Sequence, residues 1–453
     1  MTMTAGENSH QKLGGRAFLI PGMAALVVLM ALVVMAPAMT EGGPPSGNII
    51  RQSIYTVLLL ATMWISGVFK KPSKLLVVPI GMLIAIAWCW ISLSWSIVPM
   101  ISARRVLLTT MIIWTVFLLV DDCGYDRTVR TLMLSLAVLL VVNFAAVFIS
   151  PSTAIHQVAE QQDRNLVGDW RGILPQKNYT GEFCAFTIIL FFFYQRRTKT
   201  TNNPPKKKGI SEYLSIENAI RSSIILASAI FLYKSGSKTS AGMVALGLTS
   251  GLVYLSLSPR ARMYAIPVAV LASMIGMLYW AGTWKEAIGP FAKPTAFTGR
   301  VQIWPHLVSY IQDHPLTGTG YGAFWNIGDS SPIYAYSKNW VSTISSGHNG
   351  YLDLASQIGL PGLIVAVLAA FVIPLYKLLT SQSLPRWRGA LLVSMIVFCA
   401  GHNMTESGLF DRDVIVWVFL LITIALTEIA TRKRSSSSSS SRSRRKRSLP
   451  SFG

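Results

Sequence analysis

The polar stretch 284–349 gathers the reactive side chains of this chain. It carries Thr298-Gly299-Arg300, Trp304, Asp313-His314-Pro315-Leu316, Gly318, Gly320, Gly322 and finally His348-Asn349-Gly350. Almost wholly apolar spans flank it, and a long connection rich in Arg, His, Trp and Gly is where binding and catalytic groups collect. A second polar segment, 151–178, ends in Trp170-Arg171-Gly172-Ile173-Leu174-Pro175-Gln176-Lys177-Asn178. A guanidinium grips phosphate oxygens bidentately and keeps its charge at any working pH. A neutral imidazole removes a proton from a hydroxyl near neutrality. Arg171, Arg300 and His348 at one membrane face therefore suit displacement of a diphosphate leaving group by a sugar hydroxyl, with no metal required. The arginines would oppose charge developing on the diphosphate, a larger gain in a dry site than in water.

Blander roles compete at each position. Trp170 and Lys177 also suit plain interfacial anchoring, and a lone histidine at a boundary is usually just polar. Gly318-x-Gly320-x-Gly322 lacks the spacing and the strand–helix context of a dinucleotide fingerprint, and is expected to be a loop packed close to a helix end. His402, Asn403 and Glu406 are expected on one helical turn at the outer end of a span, where ionisable groups are costly unless they face an interior or a wet cavity. Asp411-Arg412-Asp413 matches the acidic pair of metal-dependent nucleotide-sugar transferases. Here it is expected as a tight turn with no nucleotide-binding domain behind it, so no metal ligands and no cofactor are assigned.

The elements that must position these groups follow from composition. Of 453 residues, 52% are hydrophobic and only 13% charged, against about a quarter in globular domains. This is an all-α integral membrane protein. A bilayer core of about 30 Å needs roughly 20 apolar residues in helix, because lipid leaves no backbone polar group satisfied. Twelve transmembrane helices are expected, near Ala17–Met39, Ile49–Val68, Leu75–Leu93, Val106–Val120, Leu132–Ser150, Tyr179–Tyr194, Ala219–Tyr233, Ala241–Leu257, Met263–Ala281, Leu360–Leu379, Ala390–Met404 and Val414–Ala430. The first is too long for a signal-peptide core and is expected to stay as an anchor. Residues 17–430 form one polytopic membrane domain, between a cytoplasmic tail 1–16 and a basic serine-rich tail 431–453 too polar to fold. Cys89, Cys123, Cys184 and Cys399 show neither disulfide nor metal spacing.

Most of the 40 basic residues fall on the side that also holds both termini. That side is cytoplasmic by the positive-inside rule, which puts 151–178 and the partly helical loop 284–349 in the periplasm. Arg104 and Arg105 violate the pattern. The net charge of +21 is thus topology and attraction to anionic membrane lipid, with no nucleic-acid partner implied.

From Arg171 to Glu406 the chain resembles the O-antigen ligase and polymerase family, the Wzy/WaaL-like membrane glycosyltransferases. The resemblance rests on Gly172-x-x-Pro175-Gln176-Lys177-Asn178, Ser235-Gly236-Ser237-x-Thr239-Ser240 and Thr298-Gly299-Arg300-x-x-x-Trp304. It extends through His314-Pro315-Leu316-x-Gly318-x-Gly320-x-Gly322 to His348-Asn349-Gly350-Tyr351-Leu352-Asp353. The last segment and Asn403-x-x-Glu406-Ser407 look most like the branch that polymerises exopolysaccharide repeats. The resemblance implies a periplasmic loop over an amphipathic groove in a bacterial inner-membrane protein. Its donor and acceptor would be undecaprenyl-diphosphate-linked oligosaccharides, with a flippase and a chain-length regulator as further partners. The family's diphosphate-binding arginines would fall on Arg171 and Arg300 and its catalytic base on His348. Lys177, Asn178, Trp304, His314, Asn349 and Glu406 would support them. A ligase that places the glycan on lipid A core uses the same donor chemistry, and a twelve-span secondary transporter is the alternative of another class. The polar residues concentrate outside the spans and no repeated halves are seen, which disfavours transport.

Overall fold

The computed structural model describes residues 19–34, 49–158, 166–194, 216–262, 264 and 300–432. Leu-, Val-, Ile- and Ala-rich runs wind into helices because each must satisfy its backbone within itself. In chain order these are α1 (Leu19–Val34), α2 (Ile49–Ile65), α3 (Ile80–Ile91), α4 (Pro99–Cys123), α5 (Tyr125–Ile149), α6 (Lys177–Phe193), α7 (Ile216–Lys234) and α8 (Lys238–Ser256). After them come α9 (Arg300–Asp313), α10 (Gly350–Val367), α11 (Ile373–Thr380), α12 (Arg386–His402) and α13 (Ile415–Thr431), with a π turn, Leu368–Val372, joining α10 to α11. Among the described residues there is no strand, only an isolated bridge between Ile155 and Trp170.

Among the described residues five helices are long and apolar enough to cross a membrane: α4, α5, α7, α8 and the continuous Gly350–Thr380. Four shorter apolar helices accompany them, Pro21–Val34, Ile49–Ile65, Ile80–Trp95 and Ile415–Thr431. Every expected span except the ninth falls on a helix. The ninth, Met263–Ala281, lies but for Tyr264 outside the described residues, as do 284–299 of the long loop and nearly all of both tails.

α13 is apolar on every side and lies buried from Ile415 to Thr427, so it forms the centre of the bundle. Phe419 on it stacks on Phe186 of α6 at 4.1 Å, and Phe398 of α12 meets Phe186 edge-on at 4.9 Å. Outward faces stay apolar, as at Leu134, Val141 and Phe148 of α5 and Leu226 of α7, which suits contact with lipid. At one end of the bundle Lys377 pairs with Glu428 at 2.6 Å and Arg388 with Asp126 at 2.7 Å.

The other end carries the polar loops. Two arginines there tie loop to helix. Arg105 of α4 is buried and donates to the carbonyls of Gly322, Trp325 (2.9 Å) and Asn326 (2.9 Å). Arg51 pairs with Asp413 at 2.5 Å. The misfit of Arg105 in the charge pattern thus has a cause: its guanidinium anchors the loop over the bundle.

α10 is kinked. Gly359 sits at φ 72, ψ 174, and Pro361 follows it with no amide hydrogen and a ring that displaces the carbonyl four residues back. That carbonyl, of Gln357, accepts from the Gly320 amide at 2.8 Å, and the Ser356 carbonyl accepts from Thr319 at 3.0 Å. Leu360 donates to Pro315 at 2.8 Å. The glycine loop 318–322 therefore packs as expected against helix, at the break in α10. Pro305 sits inside α9 without ending it.

A side chain at Gly359 would overlap the Leu316 carbonyl at a backbone conformation that only glycine adopts readily. Gly359→Ala is expected to destabilise the folded chain by about 1–3 kcal/mol, seen as a lower melting temperature in detergent. An unchanged melting temperature would show that the kink is not enforced there.

Candidate active site

Four segments converge on one carboxylate. Lys177-Asn178 opens α6, and Asn178 Nδ2 donates to Glu406 Oε1 at 2.8 Å. Arg300, at the start of α9, forms an ion pair with the same oxygen. His348, just before α10, places Nδ1 3.1 Å from Glu406 Oε2. Glu406 and Arg300 are 8% and 9% exposed, whereas a third of the His348 side chain is open. Burial alone would push the Glu406 carboxyl up. The hydrogen bond and charge of His348, with the charges of Arg300 and His402, outweigh that and hold it down at about 2. A carboxylate only accepts, so His348 Nδ1 carries the proton, and whenever the ring is neutral Nε2 holds the lone pair. The imidazole is thus held in one tautomer by a carboxylate, with a guanidinium beside that carboxylate.

Local structure fixes the geometry. α12 ends at His402 with Asn403 as its cap, so Glu406 lies in the turn beyond and not on the helix as expected. The Glu406 amide still donates to the His402 carbonyl at 3.0 Å, which keeps it one turn away. Gly350 N donates to the carbonyls of Asn403 (2.8 Å) and Glu406 (3.0 Å), which binds the 403–406 turn to the start of α10. Asn349 caps α10 by accepting from Tyr351 and Leu352, and its amide donates to Met404 at 3.1 Å. Trp304 Nε1 donates to the Gly347 carbonyl at 3.1 Å. Between these ties His348 is held at φ 48, a region that costs a non-glycine residue about 1–3 kcal/mol.

A second polar layer lies one helical turn deeper. Glu182 follows Asn178 by four residues on α6, as Glu406 follows His402. His402 Nε2 lies 3.3 Å from Ser240 Oγ and 3.8 Å from Glu182 Oε1, and Ser237 donates to Ser240 at 3.1 Å. Gly181 gives Ser237 and Ser240 the room to approach α6. The motif Ser235–Ser240 thus supplies the floor of the site, and Thr239 Oγ1 lies 3.5 Å from Arg300 Nη1.

Of the residues singled out by sequence, Arg300, His348, Asn178 and Glu406 meet directly. Asn349 and Trp304 frame them. Lys177 is engaged elsewhere, paired with Asp169 at 2.7 Å, and its amide donates to His156 Nε2 at 3.3 Å. Arg171 Nε donates to the Thr153 carbonyl at 2.8 Å, while its own carbonyl accepts from Thr180 on α6. Its described contacts therefore reach the helix that bears Asn178 but not Glu406. His314 stacks on Tyr310 at 4.5 Å, exposed and apart from the cluster. Asp411 and Asp413 are taken by Arg412 and Arg51.

Sequence reasoning passed over three groups. The buried Asp353 accepts from Trp325 Nε1 (2.7 Å), from Gly347 N (3.0 Å) and from Ser407, so it braces the segments on both sides of the His348–Glu406 pair. His156 and Asp169 shape the entry to α6. Only their acidic or ring character marked them, because spacing alone does not show that both turn onto Lys177.

Residues 223–367 match the O-antigen ligase family model. The exopolysaccharide production protein ExoQ of Rhizobium meliloti (strain 1021) is 27% identical over 201 residues, which are 42% of this chain and 44% of that protein. The alignment thus spans less than half of the relative's length. The family resemblance expected from the motifs is borne out, and it supports a membrane glycosyltransferase of the polysaccharide polymerase or ligase type. Arg300 and His348 fall inside the matched span, and Arg171, Asn178 and Glu406 outside it.

Glu406 sits below the ordinary 4.5 when folded, so its stabilisation is complete above that pH and is lost as pH falls towards about 2. The melting temperature of the wild type in detergent should drop across that window more than that of Glu406→Gln. At neutral pH the variant, which leaves Arg300 buried and unpaired, should be less stable by about 3 kcal/mol or more. Parallel pH curves would mean that Glu406 is not ionised in the fold.

Proposed function

We propose that this chain polymerises lipid-linked oligosaccharide repeat units in bacterial exopolysaccharide or surface-polysaccharide synthesis. The glycan passes from undecaprenyl diphosphate to a sugar hydroxyl of another lipid-linked repeat. The observation that carries this reading is the His348–Glu406 pair beside Arg300, with His348 open to the surface and the acid buried.

The chemistry follows from that arrangement. His348 Nε2 takes the proton of the acceptor hydroxyl as its oxygen bonds to the anomeric carbon of the donor. The bond from that carbon to the diphosphate oxygen breaks, and its electron pair leaves with undecaprenyl diphosphate. Glu406 opposes the charge of the imidazolium and keeps the ring oriented. Arg171 and Arg300 hold the diphosphate. Both terminal nitrogens of Arg300 face protein groups, Glu406 and Thr239, but each carries a second N–H for an oxygen of the leaving group. Arg300 would thus join the acid that orients the base to the charge that leaves. The reaction needs no metal. The site would face the periplasm from the inner membrane with both termini cytoplasmic, and a flippase and a chain-length regulator would act with it.

The family description favours a second reading, ligation of the finished glycan to lipid A core, with the same donor half-reaction. The two differ in what accumulates without the protein. The test is a deletion strain complemented with wild type or His348→Ala, scored by the size of lipid-linked and released saccharide. Long chains with wild type and single lipid-linked repeats with His348→Ala are expected, at normal protein level. Full-length polymer stranded on the carrier would make the chain a ligase, and an unchanged profile would remove His348 from the mechanism. Arg300→Lys should be nearly as damaging because one ammonium cannot replace the fork. A chelator should have no effect.

A further inference from the structure

Behind the His348 loop lies a cleft that the donor chemistry does not use. Its walls include Arg105, Trp325, Asn326, Ser346, Gln357 and Arg412. We propose that this cleft is the subsite for the acceptor saccharide, a neutral polyol whose reacting hydroxyl is thereby delivered to His348. The proposal rests on the transferase reading above and adds where the second substrate sits.

Position is the first support. Gly350, Asp353 and Ser407 also line the cleft, and all three belong to the frame of the candidate active site. Gly350 amide holds the Glu406 backbone, and Asp353 grips Gly347 and Ser407, the neighbours of the base and of its acid. The cleft and His348 therefore share one wall.

Charge is the second. Arg105 and Arg412 face Asp353 and Asp411 around the cleft, two of each sign. A diphosphate needs a surplus of positive charge. A sugar hydroxyl both donates and accepts, and is met by mixed donors and acceptors such as Asn326, Gln357, Ser346 and the two arginines. Arg105 is nine-tenths buried, and its Nε has no hydrogen-bond partner among the described residues. A donor left this way is costly unless a ligand or water completes it.

Backbone strain is the third. Among the described residues four non-glycine positions have positive φ: Asn326 at 56, His348 at 48, Phe410 at 55 and Arg412 at 38. One is the proposed base and the other three line this cleft. Such conformations persist where the surroundings over-determine them, and they gather at ligand sites.

The test separates saccharide recognition from diphosphate recognition. Repeat-unit oligosaccharide, freed by mild acid from the lipid-linked repeats of a deletion strain, keeps the acceptor hydroxyls but has no diphosphate. Its binding to the purified full-length chain in detergent reports saccharide recognition apart from the diphosphate. Asn326→Gly and Arg412→Gly remove the side chains while keeping the positive φ permissible. Each is expected to weaken binding of this oligosaccharide about tenfold or more, as for loss of one or two hydrogen bonds to a charged or amide group. Binding of the lipid-diphosphate donor should stay close to wild type, as should the melting temperature of Asn326→Gly, whereas Arg412→Gly unpairs Asp411 and should melt lower. Unchanged oligosaccharide affinity in both variants, or equal weakening of donor and oligosaccharide, would overturn the acceptor subsite and leave the transferase reading standing. Wild type that neither binds the oligosaccharide nor restores polymer in the deletion strain would overturn that reading, and the subsite with it.

Discussion

A carboxylate taken out of water must be compensated on every side, and the Glu406 group is compensated by three partners from three distant parts of the chain. Arg300 and Asn178 share one oxygen, and His348 takes the other. Losing any partner leaves a buried charge that the interior cannot screen. The surrounding architecture follows from this constraint. The turn 403–406 is locked to Gly350, Asn349 caps α10 and reaches back to Met404, and Trp304 fixes Gly347. Each tie holds the ring of His348 on its acid. The same anion that orients the imidazole also makes the loops cohere, so the fold and the proposed catalysis draw on one interaction.

The helices were legible where apolar runs were uninterrupted, and misjudged where a polar residue broke the run. α4 was expected to start at Val106 because Arg104 and Arg105 end the apolar sequence. It starts at Pro99, since Arg105 satisfies its donors on the carbonyls of Gly322, Trp325 and Asn326 inside the protein. The tenth span is expected from Leu360, but the helix that carries it, α10, begins earlier. It starts at Gly350, because the amides of Thr319 and Gly320 take up the carbonyls released at the break. Hydropathy carries no information about a tertiary hydrogen bond, so it sets boundaries at the wrong place whenever such a bond rescues a polar group.

The site was legible as residue types and not as a geometry. Arginine, histidine and asparagine on polar segments marked Arg300, His348 and Asn178. The bridging role of Glu406 was hidden, because it depends on α12 ending at His402 and the chain turning back within four residues. Asp353 was hidden for a similar reason. Nothing near it in sequence shows that Trp325 and Ser407 arrive from either side. Local pattern records what a residue can do, and its employment is decided by partners tens to hundreds of positions away.

The strained backbone at His348 fits this account. A histidine in an ordinary loop conformation would be free to rotate, and a rotating imidazole loses the advantage of a fixed acid partner. Holding it at φ 48 costs energy that the Asn349 cap, the Trp304 bond and the Asp353 brace must supply. Those are bonds within the protein, made before any substrate arrives. The orientation of the ring is therefore set during folding, so on the proposed reading no reorganisation has to accompany proton transfer.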